Sequence, residues 1–104
     1  MDSIPTSKGD LFAYQIKWDF LDSVLIEKRI GPWINKKIME YIGEEEPALT
    51  EFIINNLKQH CTPRALLDEI SMILDDEGEV FVVKLWRLLI YETEAKVLGI
   101  SKVV

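Results

Sequence analysis

Cysteine and histidine, which often build catalytic and metal centres, are scarce in this sequence. Among 104 residues there is one cysteine, Cys61, and one histidine, His60. A single cysteine excludes an internal disulfide and is typical of a reducing compartment. Adjacent positions on a helix point about 100° apart, so His60 and Cys61 cannot face each other as base and thiol. With too few ligands for zinc and no glycine-rich phosphate loop, the sequence predicts no catalytic residue, metal site or cofactor.

Long apolar runs and an excess of positive charge are also absent. No segment approaches the ~20 apolar residues of a membrane span, and the N-terminus lacks a signal-peptide pattern, which favours a soluble intracellular protein without a membrane partner. The chain has 18 acidic and 12 basic residues, a net charge of -6. Domains that bind nucleic acid by themselves usually carry a basic face. The acids cluster at residues 44–46 and 75–79, so a basic surface elsewhere is compatible with the average.

Proline, glycine and capping residues divide the chain into helices. Pro32, Pro47 and Pro63 suit the first position of a helix, where a missing N–H costs little. Gly31 can serve as the cap of the helix that begins at Pro32, Gly43 suits the end of that helix, and Thr62 precedes Pro63 as an N-cap. With the three-to-four spacing of apolar residues, these signals predict a single all-α domain: a four-helix bundle core with one additional helix and an extended N-terminal arm. We expect the arm at residues 1–17, the bundle at residues 18–98 with helices at 20–29, 32–42, 47 to 59 or 60, 63–74 and 79–96, and a tail at residues 99–104.

The expected arm is extended because of its alternation. Phe12, Tyr14, Ile16 and Trp18 alternate with smaller or polar residues, as in an extended segment with one buried side. No second strand pattern is present, so we expect the arm to lie across helices. Asp19, which follows it, is a candidate N-cap for the first helix.

The last helix is expected at the centre of the bundle. It is apolar on nearly all sides, which is typical of a central element. The acidic run before it, residues 75–79, lacks the ligand spacing of a calcium loop, so we interpret it as a solvated, helix-capping loop. We expect the hydrophobic centre to be built around Trp33, Ile34, Trp86 and Leu89.

Four segments are specific enough to indicate a family. One of them contains the Pro32-Trp33-Ile34 triplet at the start of the second helix. The segments are residues 10–14, 32–37, 40–46 and 85–96. Together they resemble the PWI domain of pre-mRNA processing factors. The resemblance implies a nuclear role in pre-mRNA splicing, no enzymatic activity, and binding of RNA or DNA through basic side chains, often with help from a flanking segment rich in arginine and lysine.

Basic residues near the first two helices form one candidate site. Lys28, Arg29, Lys36 and Lys37 are close in sequence, and a short turn between the helices would gather the four cations in one region. Glu40, four residues after Lys36, would neutralise part of this charge. An ordinary charged helix surface is an alternative interpretation of the same residues.

The last helix carries a second candidate site. Lys84, Arg87 and Tyr91 lie at i, i+3 and i+7 and therefore form one polar stripe. Two cations beside a tyrosine would offer a single-stranded RNA phosphate contacts and a stacking surface. The alternative is a water-facing strip whose cationic stems cover the edge of the core. Trp33 could also stack on a base, but burial is the commoner state of tryptophan.

The family resemblance implies a small RNA-binding module of a splicing factor, and the basic residues are its candidate contacts. The sequence contains no long basic tract, so we expect weak, salt-sensitive binding of RNA or DNA, since each phosphate contact on a single strand adds about -0.7 to the salt slope. We also expect a monomer with splicing-factor proteins as further partners. The alternative, favoured by the net charge, is a protein-interaction module with little RNA affinity of its own. The predicted RNA-contacting residues are Lys28, Arg29, Lys36, Lys37, Lys84 and Arg87.

Overall fold

A computed structural model describes residues 8–14 and 16–97 of the chain. Its helical elements are α1 (Lys8–Ala13), a 3-10 turn (Trp18–Phe20), α2 (Ser23–Leu25), a π-helical segment (Ile26–Ile30), α3 (Gly31–Ile42), α4 (Pro47–Lys58), α5 (Pro63–Leu74) and α6 (Asp76–Val97). No strand occurs within the described ranges, and the all-α prediction is confirmed. The expected tail at 99–104 and the first seven residues of the expected arm lie outside those ranges.

Several helix boundaries set by local capping are predicted correctly. Pro47 and Pro63 each open a helix, and the Thr62 side chain accepts a hydrogen bond from the Ala65 N–H at 3.2 Å. Gly43 ends α3 in the left-handed conformation, with φ 95°. A side chain at that φ would be strained, which explains the glycine.

The prediction of an extended arm at residues 1–17 is wrong for the described part of that segment, because residues 8–13 form α1. The alternating large residues of this segment do not belong to one extended strand. Phe12 lies in α1, Ile16 lies in an irregular segment, and Trp18 begins the 3-10 turn. Leu11 in α1 is fully buried and Phe12 packs against the same core, so apolar side chains anchor the short helix.

The first two predicted helices form one helical run from residue 23 to residue 42. Gly31 is helical, with φ -57°, and its N–H donates to the Ile26 carbonyl, five residues earlier. It is therefore not a cap. A proline inside a helix lacks an N–H and crowds the preceding turn, and the wider π turn just before Pro32 accommodates both effects. The run begins later than expected: Asp22, not Asp19, is the N-cap, and its side chain accepts from the Leu25 N–H at 2.8 Å.

The acidic segment 75–79 was predicted to be a loop, but most of it is the first turn of α6. Asp75 alone separates α5 from α6, with φ 54° and ψ -127°. Carboxylates in a first turn are stabilised by the helix dipole, which explains why an acidic run can be helical there. Gly78 is buried in α6. A Cβ at this position would lie 3.1 Å from the Ser71 Cα, so the absence of a side chain lets α5 and α6 approach closely.

As predicted, α6 is the central element. Trp86, Leu89 and Ile34 are almost completely buried, whereas Trp33 is only half-buried and packs at the edge of the core. The run 23–42 lies antiparallel to α6, since its start contacts the end of α6 through Asp22 and Lys96, while Trp33 and Tyr41 contact Phe81 near the start of α6. No described helix is long and apolar enough to cross a membrane.

Candidate nucleic-acid interface

The four cations predicted around the first two helices lie along one continuous helix. Lys28 and Arg29 belong to the π-helical segment, and Lys36 and Lys37 belong to α3. The short turn expected to gather them does not exist. Lys36 follows Lys28 by eight residues, which corresponds to about 12 Å along a helix axis. The four cations therefore form an elongated row instead of a cluster.

Arg29 is partly engaged with α6. Its Nε lies 3.9 Å from Oε1 of Glu92, whose side chain is only 7% exposed. A nearly buried carboxylate needs a positive neighbour, because isolated burial of its charge is costly. The Arg29 side chain is 47% exposed, so its remaining donors reach solvent. Arg29 consequently combines a structural contact with an exposed positive edge.

Lys37 is also engaged. Its Nζ lies 5.9 Å from the centroid of the Trp33 ring and 3.5 Å from Oε1 of Glu40. The expected partner of Glu40 was Lys36, so the structure shifts the pairing by one residue. Lys28 and Lys36 are exposed and form no ion pair with any residue that the structure describes. They are the members of this row with the most available charge.

The stripe on α6 faces solvent, as predicted. Lys84, Arg87 and Tyr91 are exposed, and neither cation has an ion-pair partner within the described ranges. Phe81, one turn before Lys84, stacks on Trp33 with ring centroids 5.7 Å apart. Residues three apart are neighbours on a helix surface, so Lys84 lies beside the contact that joins α6 to α3. The two predicted groups of cations therefore occupy adjacent helices.

Two other lysines are held by carboxylates. The Nζ of Lys17 lies 3.0 Å from Glu94, and that of Lys96 lies 2.7 Å from Asp22. Hydrogen bonds from Tyr14 and Lys17 hold the pKa of Glu94 below its usual value, and Lys96 with the Leu25 N–H does the same for Asp22. These lysines sit in local ion pairs, which leaves less of their charge available to a phosphate than an unpaired lysine has.

The hydrogen bond to Glu94 also changes the phenol that donates it. The Tyr14 hydroxyl donates to Oε2 of Glu94 at 2.6 Å. This bond, together with desolvation and the carboxylate charge, raises the pKa of Tyr14 to about 12. The contact joins the end of α1 to α6, 80 residues apart in sequence, and no local pattern in the sequence indicates it.

His60 and Cys61 follow α4 along the chain. His60 stacks on Trp18, with ring centroids 4.7 Å apart and an angle of 11° between the planes. Cys61 is half-buried, and burial raises the pKa of its thiol to about 11. A thiol with this pKa is almost entirely protonated near neutral pH and is a poor nucleophile. Within the described ranges, no group of three or more histidine, cysteine or acidic residues is placed to hold a metal ion.

Comparison with known proteins identifies the family. Residues 28–96 match the family model of the PWI domain. The chain is 56% identical over 102 residues, 98% of its length, to RNA-binding protein 25 of Homo sapiens. It is 45% identical over 100 residues, 96% of its length, to RNA-binding motif protein 25 of Arabidopsis thaliana, and 32% identical over 99 residues, 91% of its length, to U1 snRNP-associated protein usp107 of Schizosaccharomyces pombe. It spans 12%, 11% and 14% of the lengths of these three relatives, respectively. The chain belongs to the PWI domain family.

Proposed function

We propose that this chain is an RNA-contacting module of a nuclear pre-mRNA splicing factor. Its RNA site is the face formed by the run 23–42 and α6. The observation that carries this proposal is the exposure of Lys28, Lys36, Lys84 and Arg87 on two adjacent helices, without ion pairs among the described residues. In a chain with a net charge of -6, such a concentration of available cations favours an anionic partner.

The relatives support the choice of RNA as the anion. Two of them carry RNA binding in their names, and a third is named for its association with the U1 snRNP. A role in splicing implies nuclear localisation and further contacts with splicing-factor proteins. We assign no enzymatic activity to the domain, since burial raises the pKa of the thiol of Cys61, the single cysteine in the sequence.

The six cations contribute unequally in this proposal. Lys28, Lys36, Lys84 and Arg87 contact phosphates directly, because they are exposed and form no ion pair with any described residue. Arg29 and Lys37 contribute less, since carboxylates of Glu92 and Glu40 lie near them. Lys37 also covers one side of Trp33, so the indole is not a free stacking platform. Tyr91, 47% exposed, is the better stacking surface.

Phosphate contacts of this kind carry little sequence information. Lysine and arginine on a helix surface position the backbone of a nucleic acid, whereas specificity requires contacts with base edges. We therefore expect a monomeric domain with weak affinity for single-stranded RNA, a comparable affinity for single-stranded DNA, and strong dependence on salt. Other domains of a longer protein would supply sequence preference.

Titration of a labelled single-stranded RNA, followed by fluorescence anisotropy, tests this proposal. Lys36→Gln removes one exposed, unpaired charge from the proposed face, and we expect it to weaken binding severalfold in low salt. Lys58→Gln is the matched control because Lys58 is an exposed lysine on α4, on a different helix. Equal affinities for the two variants would contradict the proposed site.

A further inference from the structure

A groove lies between α4 and α5, and none of the cations of the proposed RNA site lines it. Its volume is about 640 Å³, which falls within the ~300–1,000 Å³ range of ligand-binding clefts. The groove exists because the two helices pack mainly on different partners: α4 contacts α3, and α5 contacts α6. Side chains from one face of each helix, together with the end of α3, form its walls.

The walls of this groove are apolar and partly exposed. Ile42, Leu49, Phe52 and Ile73 line it. Phe52 is 38% exposed and Ile73 is 51% exposed. Exposed large apolar side chains that share one concave surface indicate an interaction site more strongly than the same residues scattered singly. The groove can therefore bury apolar side chains of a partner.

The charges at the groove have one sign. Glu46 and Glu69 belong to its lining, and the described lining contains no lysine or arginine. Glu46 is the last member of the acidic triplet 44–46. Carboxylates at the edge of an apolar cleft favour a partner whose apolar side chains are flanked by cations, because complementary charge steers the encounter and fixes the orientation.

We propose that the groove binds a basic amphipathic helix of a partner protein. The occupant presents apolar side chains at i, i+3 or i+4, and i+7 to the groove, and lysine or arginine at its edges to Glu46 and Glu69. Docking of an amphipathic helix into a cleft between two helices is a recurrent mode of peptide recognition. The domain then has two binding faces of opposite charge, one for RNA and one for a basic protein segment.

Charge argues against two other occupants. RNA phosphates would meet Glu46 and Glu69 without a compensating cation in the described lining. A second copy of this chain would bring another net charge of -6 to an acidic surface. A basic helix alone satisfies both the apolar walls and the acidic edge.

A defined synthetic peptide tests this proposal. The probe is a fluorescein-labelled peptide of ~15 leucine and lysine residues, with leucines at helical spacing. One comparison peptide has the same composition in a scrambled order, and the other has glutamate in place of lysine. We expect the helical leucine–lysine peptide to bind at least tenfold more tightly than either comparison peptide, as measured by anisotropy.

Neighbouring residues on α5 provide matched variants. Ile73→Asp places a charge in the groove, whereas Met72→Asp changes an 82% exposed residue outside its lining. We expect Ile73→Asp to weaken peptide binding at least tenfold and Met72→Asp to change it less than twofold. Glu69→Lys and Asp68→Lys form a second pair at exposed positions, which keeps the test valid if Ile73→Asp disturbs folding.

Three outcomes would overturn the proposal. Equal losses within each matched pair would mean that the peptide senses only overall charge, and equal binding of the scrambled peptide would have the same meaning. Sedimentation showing a dimer that Ile73→Asp dissociates would assign the groove to a second copy. The same variants test the proposed RNA site independently of the groove. Ile73→Asp should leave RNA binding unchanged, and Lys36→Gln should leave peptide binding unchanged.

Discussion

His60 occupies a backbone conformation that normally belongs to glycine, and its replacement tests how α4 is joined to the rest of the fold. Its φ is 59°. The His60 N–H donates to the Leu57 carbonyl at 3.0 Å, and the Cys61 N–H donates to the Asn56 carbonyl at 3.1 Å. This pair of bonds is the Schellman arrangement, in which glycine is the preferred residue at the left-handed position. The His60 ring stacks on Trp18, which compensates for the strain.

The two contributions at His60 have similar size and opposite sign. A side chain in the left-handed region costs about 1 kcal/mol relative to glycine, and an aromatic stack contributes about 0.5–1.5 kcal/mol. His60→Ala keeps the Cβ and loses the stack, so the free energy of unfolding should fall by about 1 kcal/mol. His60→Gly loses the stack but also loses the strain, so its stability should stay near that of the wild type.

Urea unfolding followed by circular dichroism measures this difference. With an m-value of about 1–3 kcal/mol/M, the midpoint for His60→Ala should lie roughly 0.5 M below that for His60→Gly. A shared m-value would show that the variants differ in stability alone. Identical midpoints for the alanine and glycine variants would refute the assignment of strain, and an alanine variant as stable as the wild type would refute the contribution of the Trp18 stack.

Two further predictions concern contacts near the C-terminal end of α6, where Glu94 contacts Tyr14 and Lys96 contacts Asp22. Tyr14 has a pKa of about 12 in the folded chain against 10.0 when unperturbed. The stability that its protonated hydroxyl contributes is therefore complete below pH 10 and is lost as the pH rises through 12, and Tyr14→Phe lacks this contribution. The free energy of unfolding of both proteins, measured at increasingly alkaline pH, checks this. Asp22→Ala loses an N-cap and an exposed ion pair and should be less stable by about 1–2 kcal/mol, whereas Asp22→Asn keeps the cap and should lose only a few tenths. The pKa of Asp22 is lowered from 3.8, so its contribution is present above that pH and is lost as the pH falls through the lower folded-state value; acid titrations of the wild type and Asp22→Asn should therefore converge.

Helix boundaries set by neighbouring residues could be predicted from the sequence. Thr62 and Pro63 begin α5 through an N-cap and a missing donor, and Gly43 ends α3 through its φ. These effects act within a few residues, so the local sequence determines them. The same reasoning failed at Gly31, because a widened π turn let the helix continue through Pro32.

The candidate site shows the same division between local and distant effects. Exposure of the stripe on α6 followed from helical spacing alone. The engagement of Arg29 did not, because Glu92 lies 63 residues further along the chain. The groove between α4 and α5 was also not predicted, since its two walls come together only through packing against α3 and α6. Spacing along one helix cannot indicate which faces of different helices meet.

The central claim is that RNA contacts the run 23–42 and α6, and amide chemical-shift mapping tests it most directly. Unlabelled single-stranded RNA is titrated into the isotopically labelled chain in low salt. The account predicts that the largest shifts occur around Lys28, Lys36, Lys84 and Arg87, and that they shrink as salt is added. Shifts confined to α4 and α5, or spread evenly over the chain, would contradict it.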